Sequence, residues 1–228
     1  MGFERVRSAN MLRKQELRSA ETRRDILSAA GTLFAKRGFD AVTMREIAGK
    51  AGCSHTTIYI HFKDKEALLH ALSMPSLQEL KQRMESILLH HDLSPEERLK
   101  GISREFIRFC LQNRTMYTIF FGAKSVRVDE ERPALEINQL RNGLFRLLQQ
   151  ALQDCLDGHR DDLLLTSARI FFFTIHGIVG TYTYSDETPE ALMARLSPTF
   201  DEAVDVLLLG FRQQTILRQQ TIQGGNIR

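Results

Sequence analysis

The strongest constraint on this chain is residues 43–65, TMREIAGKAGCSHTTIYIHFKDK, which carry three helix starts and one glycine turn in close succession. Thr43 and Glu46 form a T-x-x-E capping box, so a helix is expected to begin at Met44. Met44, Ile47, Ala48 and Ala51 then fall on one helical face. Gly52 supplies the left-handed residue that a tight turn needs. Ser54 is placed to cap a second helix over residues 55–60, and Asp64 to cap a third. Helices this short are unstable alone, so they must pack as a unit. That is the helix-turn-helix plan, in which the second helix enters the DNA major groove.

The flanking sequence continues in helical periods. Thr22 and Asp25 suggest another capped start, followed by Ile26, Ala30, Leu33 and Phe34 at i, i+4, i+7 and i+8, with Gly38 as the stop. A helix from Asp64 carries Leu68, Leu69 and Leu72 and is expected to end before Pro75. The next should cover residues 76–90, with Leu77, Leu80, Met84, Ile87 and Leu88 inward. Ser94, Pro95 and Glu97 open another, which presents Leu99, Ile102, Phe106, Phe109 and Cys110. Residues 113–122 read as a bent aromatic helix and 124–132 as a charged loop. Residues 133–156 are amphipathic through Leu140, Leu144, Leu147, Leu148 and Leu152. Residues 161–184 are apolar almost all round, which predicts deep burial. Thr188, Pro189 and Glu190 restart a helix that Pro198 should interrupt, leaving a last helix over 198–217.

The fold class is therefore all-α. A three-helix DNA-binding domain is expected over 21–66 and a helical ligand-binding and dimerisation domain over 67–217. Residues 1–20 and 218–228 are expected to be disordered. The first of these is a basic arm with Arg5, Arg7, Arg13, Lys14 and Arg18, whose sharper reading is contact with phosphates or the minor groove.

Charge supports the division. Residues 1–70 hold 13 Lys/Arg against 8 Asp/Glu, a net of +5; the rest holds 18 against 20, a net of −2. A basic front and a slightly acidic rear point to nucleic acid at the front only. No uninterrupted apolar run reaches the roughly 18 residues of a membrane span, and residues 170–180 are interrupted by His176. The N-terminus lacks the apolar core of a signal peptide. Cys53, Cys110 and Cys155 are odd in number and far apart, which fits neither a disulfide framework nor a metal site. A cytoplasmic protein with no cofactor, no metal and no membrane partner is expected. Catalysis is not: there is no nucleophile elbow, phosphate loop or H-x-x-x-H pair, and the adjacent His90 and His91 cannot both face one helical site.

A long first helix followed by T-x-R-E-I-A, A-G-x-S and I-Y-x-H-F-K-x-K-E-x-L resembles the DNA-binding domain of the TetR family of bacterial transcriptional regulators, over residues 22–72. The resemblance implies a homodimeric repressor on a palindromic operator, released by a small-molecule effector. It also implies DNA contacts from Thr43, Arg45, Ser54, His55, Thr56, Thr57, Tyr59, His61 and Lys65. Thr43 and Arg45 would reach phosphate from the first helix of the motif. Ser54, His55, Thr56 and Thr57 sit at the end of the second helix that faces base edges. Tyr59 and His61 match the family's phosphate-contacting aromatic and imidazole, and Lys65 would grip phosphate at a helix start. Two positions depart from the family pattern: Thr56 stands where a small residue or proline is common, and Cys53 where an aliphatic residue is usual. Ile47, Ala48, Ile58 and Phe62 are read as core.

The rear holds most of the aromatic residues, and a helical aromatic core with a few inward polar groups suits an apolar ligand, with at most one anionic group. The candidate lining is Phe106, Phe109, Cys110, Tyr117, Phe121, Arg141, Phe145, Phe172 and His176. His176, Gly177 and Gly180, with Val204, Leu207, Leu208 and Phe211, are read as pairing the two long C-terminal helices with their twofold mates. The alternative function is a nucleoid-type DNA-binding protein with little sequence specificity, which a sequence-independent but salt-dependent affinity would reveal.

Overall fold

A computed structural model describes residues 2–118, 136–156 and 161–225. Among them every regular element is a helix: α1 (Gly2–Arg37), α2 (Met44–Lys50), α3 (His55–His61), α4 (Lys65–Leu88), α5 (Pro95–Gln112), α6 (Arg114–Thr118), α7 (Glu136–Cys155), α8 (Asp161–Tyr182) and α9 (Pro189–Gly225). The contacts divide the chain into Met1–Ser76 and Leu77–Arg228. The division falls at Ser76 rather than at residue 66 because the first half of α4 belongs to the front core. Leu68 and Leu69 are buried there, and Leu72 lies 3.6 Å from where a side chain on Gly31 of α1 would begin.

In the front unit α1 delivers Ile26, Ala29, Ala30 and Phe34 to a core shared with Val42, Met44, Ile47, Ala48, Ile58 and Phe62. Complete burial of side chains such as Ile26, Ile47 and Ile58 contributes about 1.5–3 kcal/mol each, which holds together helices too short to stand alone. Among the described residues Gly38 and Gly52 are the two with positive φ, at 78° and 69°, and both end a helix where a side chain would be strained.

Several expectations from the sequence are corrected. Residues 2–20, expected to be disordered, form the first half of α1. The segment has no proline and is rich in Arg, Lys, Glu, Gln, Leu and Ala, all good helix formers. Thr22 accordingly starts nothing; its hydroxyl donates back to the Arg18 carbonyl at 2.9 Å, inside the helix. Pro75 and Pro198 end no helix either and lie within α4 and α9. A proline inside a helix costs about 3 kcal/mol. Around Pro75 that cost is offset by Leu68, Leu69, Leu77 and Leu80, and around Pro198 by Leu192, Leu196, Phe200 and Val204, all buried. Residues 218–225, expected to be disordered, continue α9.

In the rear unit α5 packs against α7, α8 and α9. Its start is a complete capping box, Ser94 with Glu97, with Pro95 in the first turn. The seam to α9 is laced with ion pairs: Lys100 to Asp205 at 2.6 Å, Arg104 to Asp201 at 3.0 Å and Arg212 to Glu96 at 2.5 Å. Phe121, Pro133 and the loop over 124–132 lie outside the described residues.

Two readings of the C-terminal helices also change. Leu163–Tyr182 in α8 has a mean hydropathy of 1.6 and is long and apolar enough to cross a membrane by length and composition, although no unbroken run had suggested it. Nor is the helix buried all round. Leu164, Ala168, Phe171, Phe172, Ile175 and Val179 face the core, while Ile170 and Phe173 are exposed, Phe173 by 64%. On α9, Val204, Leu208 and Phe211, read as pairing residues, are buried within the chain itself. The exposed apolar residues among those described on α9 are Val206, Leu209, Ile216 and Leu217, on a different face of the same helix.

Candidate nucleic-acid interface

The candidate interface is built on three caps. Thr43 caps α2, accepting from the Glu46 backbone N–H at 3.3 Å, while the Glu46 carboxylate accepts from the Thr43 N–H and hydroxyl at 2.8 Å each. Arg37, at the end of α1, donates to Glu46 Oε1 at 2.7 Å and to the Ala41 carbonyl at 2.6 Å. These bonds, the Arg37 guanidinium first, hold the Glu46 carboxyl down at about 2. Ser54 caps α3 by accepting from the Thr57 N–H at 3.0 Å, and the two hydroxyls are 2.7 Å apart. Asp64 caps α4 by accepting from the Ala67 N–H at 2.7 Å. Each cap is worth about 1 kcal/mol, and those at Thr43 and Ser54 fix the pitch of helices that have only two turns to define it.

α3 buries Ile58 completely and presents the opposite side to solvent. His55, Thr56 and Tyr59 are exposed, and the His55 and Tyr59 rings meet edge to face at 5.1 Å. This pairing orients an imidazole and a phenol on one outward surface. Thr57 is half-buried and its hydroxyl is engaged with Ser54. Arg45 and Thr43 are exposed on α2 and its cap. The structure thus brings Thr43, Arg45, Ser54, His55, Thr56 and Tyr59 to the outside of one two-helix unit.

Lys65 is the exception. Its ammonium donates to the carbonyls of Phe39 and Val42, at 2.7 and 2.9 Å, and lies 4.2 Å from the Phe39 ring centroid. It is a part-buried clamp on the α1–α2 turn, engaged by two carbonyls where the sequence reading has it on a phosphate. No local pattern could have shown this, since its partners are more than twenty residues away. His61 is half-buried, and its carbonyl accepts from Arg23 at 3.4 Å. The Arg23 guanidinium also covers the Phe62 ring at 4.4 Å. Arg23 therefore ties α1 to the end of α3.

Ile60 is the surface residue that sequence reasoning passed over. It is 76% exposed on α3, beside Tyr59 and Thr56, where a large apolar group has no core to fill. The available signal was its position two residues after the buried Ile58, on the far side of a helix. An exposed isoleucine on such a surface suits contact with thymine methyls or sugar rings.

In the rear unit the structure places three of the candidate ligand residues against His176 and a fourth behind one of them. The imidazole lies 4.1 Å from the Phe172 ring, 5.7 Å from Phe106 and 5.6 Å from Tyr117, and Phe145 meets Phe172 edge to face at 5.5 Å. The Tyr117 hydroxyl is 3.2 Å from both His176 Nδ1 and the His176 carbonyl. If the hydroxyl donates to the carbonyl, Nδ1 must carry the proton that donates to the hydroxyl. Burial, then the charge of Arg141, pulls the His176 pKa down to about 4. Burial pushes Tyr117 up to about 12. Arg141 is buried on α7, donates to Asn138 Oδ1 at 3.3 Å, and is itself lowered by burial. Cys110 is buried and its thiol is raised well above the usual range, so it behaves as a small hydrophobe. Cys53 is half-buried and also raised by burial. Phe109 is half-buried on α5, and Phe121 lies outside the described residues. Among the described residues no group of His, Cys, Asp and Glu could hold a metal ion.

Comparison with known proteins adds independent findings. Residues 26–72 match the family model described as bacterial regulatory proteins, tetR family. The HTH-type transcriptional repressor KstR2 of Mycolicibacterium smegmatis is 30% identical over 140 residues, 59% of this chain and 67% of that protein. The class D tetracycline repressor protein of Escherichia coli is 28% identical over 199 residues, 81% of this chain and 79% of its own. Among solved structures, the transcriptional regulator FadR of Bacillus subtilis in complex with stearoyl-CoA aligns with a TM-score of 0.56 at 21% identity. That alignment covers 79% of this chain and 96% of FadR.

Proposed function

This chain belongs to the TetR family of bacterial regulatory proteins, as a DNA-binding transcriptional regulator and not an enzyme, and on that premise we propose that it is a homodimeric repressor which leaves a palindromic operator when a small, largely apolar ligand binds. The observation that carries the reading is the surface of α3, where Ile58 anchors a helix whose other side is His55, Thr56, Tyr59 and Ile60. His55 and Thr56, near the capped start, are assigned to base edges, with Ile60 as an apolar contact. Thr43, Arg45, Tyr59 and His61 are assigned to phosphates. Ser54 and Thr57 hold each other and set the pitch of the helix. Lys65 positions the turn ahead of α2 without touching DNA.

The dimer is supported by the apolar surface left open in the rear unit. Ile170, Phe173 and Gly177 repeat at i, i+3 and i+7 on α8, and Val206, Leu209 and Ile216 line the outside of α9. A side chain added at Gly177 would meet nothing within 4 Å in its own chain, so this glycine answers to no internal packing need. Two copies joined here make a four-helix seam. Such a dimer would carry two α3 helices for successive major grooves about one DNA turn apart.

The ligand reading is supported by the aromatic cluster around His176, which mixes several rings with a phenol, a neutral imidazole and a buried guanidinium. Linkage then sets the mechanism: a ligand that favours a different spacing of the two α3 helices weakens DNA binding by the factor by which DNA weakens its own binding, with about 1–3 kcal/mol of coupling. α4 runs through Ser76 as one helix and carries Lys65, which makes it the lever. The protein's place of action is the bacterial cytoplasm.

The test uses a fluorescein-labelled operator duplex, bound by the protein and then titrated with stearoyl-CoA, the ligand named with FadR, and with free stearate. Release read as a fall in anisotropy, with an equal weakening of ligand binding by operator, supports the proposal. If a broad set of apolar and aromatic compounds changes neither operator affinity nor thermal stability, the ligand half of it fails.

A further inference from the structure

The first twenty residues alone carry a net charge equal to that of the whole chain. Residues 1–20 hold five Lys/Arg and two Asp/Glu, a net of +3, and the whole chain also has a net of +3. The remaining 26 basic and 26 acidic residues cancel. This entire excess is carried by the first half of α1, and residues 10–21 are exposed without interruption. A helix that packs none of its sides over three turns makes no contribution to a core.

Its exposed apolar residues do not form a face for another protein. Met11, Leu12 and Leu17 are spaced i, i+1 and i+6, which at 3.6 residues per turn scatters them around the helix at intervals of roughly 100–140°. A coiled-coil or groove partner requires i, i+3, i+4 spacing instead. Arg13, Lys14 and Arg18, by contrast, fall within one arc of about 140°. The surface is basic on one side and mixed elsewhere.

The direction of the arm is set by Arg23. Its bond to the His61 carbonyl and its position over Phe62 fix α1 at the C-terminal end of α3. Residues after Arg23 enter the core, and those before it leave from the edge that carries Tyr59, His61 and Lys63. From Arg23 back to Arg5 the helix extends about 27 Å, at 1.5 Å per residue. That is the reach of several phosphates along one DNA strand, at about 3.4 Å each along the axis.

We propose that the first half of α1 is a second DNA-binding element, in which Arg13, Lys14 and Arg18 neutralise backbone phosphates outside the half-site read by α3. The proposal rests on the DNA-binding reading of α2 and α3 and adds to it affinity without base preference.

The experiment compares the full chain with an Arg13→Gln, Lys14→Gln, Arg18→Gln variant. Glutamine keeps the helix propensity, and exposed positions leave thermal stability unchanged. Affinity for an operator selected from random DNA is measured from 50 to 200 mM salt on two duplexes, one with long flanks and one trimmed to the selected palindrome. On the flanked duplex the slope of log K against log salt should fall by about 2–3, so that raising the salt fourfold costs the wild type about 40-fold more affinity than the variant. On the trimmed duplex the two proteins should converge, and their base preferences should match throughout. Equal slopes on the flanked duplex would overturn the arm contact while leaving the α3 reading intact. A slope difference that persists on the trimmed duplex would place these residues inside the half-site and overturn it too. A changed sedimentation coefficient of the free variant would assign the arm to a second copy instead. If the wild type itself shows no preference for the selected duplex over a scrambled one, the underlying α3 reading fails first.

Discussion

His176 gives the packing of the rear unit a direct thermodynamic signature. Its imidazole is buried among Phe106, Phe172 and Tyr117, and its pKa is pulled from 6.5 to about 4, by burial first and then by Arg141. In the unfolded chain the imidazole keeps its ordinary value near 6.5. Between those values the unfolded state binds a proton that the folded state refuses. Stability contributed by the neutral ring is therefore complete above pH 6.5 and is lost as the pH falls toward 4. The loss is about 2 kcal/mol on going from pH 7.5 to pH 5, and about 3 kcal/mol by pH 4. The chain has no tryptophan, and three of its four tyrosines, Tyr117, Tyr182 and Tyr184, lie in the rear unit, so tyrosine emission during urea unfolding reports mainly on that unit. His176→Gln removes the titration while keeping a polar group beside Tyr117. At fixed protein concentration, wild type should lose about 2 kcal/mol more than this variant between pH 7.5 and pH 5. Equal losses in the two proteins would refute the placement of a neutral, desolvated imidazole in this cluster.

Other expected outcomes follow from the same geometry. Lys65→Met takes the ammonium from the Val42 carbonyl and leaves the Phe39 carbonyl with only the Val42 N–H at 3.4 Å, and should destabilise the front unit by about 2 kcal/mol in thermal or urea unfolding, while the salt slope of DNA binding hardly moves; a slope reduced by about 1 with stability unchanged would restore Lys65 to the phosphate backbone. Gly177→Leu should raise the helix propensity of α8 by roughly 0.8 kcal/mol and still lower the sedimentation coefficient by disrupting dimers, because the added side chain is free within its own chain; an unchanged sedimentation profile counts against that seam. Thr56→Ala should shift the base preference at one operator position by roughly 1 kcal/mol and leave the salt slope alone; the reverse pattern would move Thr56 from the bases to the phosphates.

What was legible in the sequence was what is local. The caps at Thr43, Ser54, Asp64 and Ser94 act over three residues, and each stands where the sequence places it. The core faces of α5 and α7 followed from spacing, since Leu99, Ile102, Phe106, Leu144, Leu148 and Leu152 are all buried. What failed depended on distant partners or on competing terms. Pro75 and Pro198 are strong local stops, but buried residues on both sides outweigh them. α9 has apolar residues on two faces, and only the fold shows that Val204, Leu208 and Phe211 are spent on the core while Val206 and Leu209 face outward. The first twenty residues have strong helix propensity but no apolar period, and periodicity alone reads such a segment as disordered. The partners of Lys65 at Phe39 and Val42 become neighbours only when α1, α2 and α4 meet.

The most direct test of the proposal that the exposed side of α3 reads DNA as one half of a twofold pair is selection of bound duplexes from a random pool by the purified full chain. An inverted repeat is predicted, with half-site centres about one helical turn (~10 base pairs) apart, and His55→Ala or Thr56→Ala should change the bases selected without changing that spacing. Enrichment of no sequence, or of one lacking twofold symmetry, would contradict it.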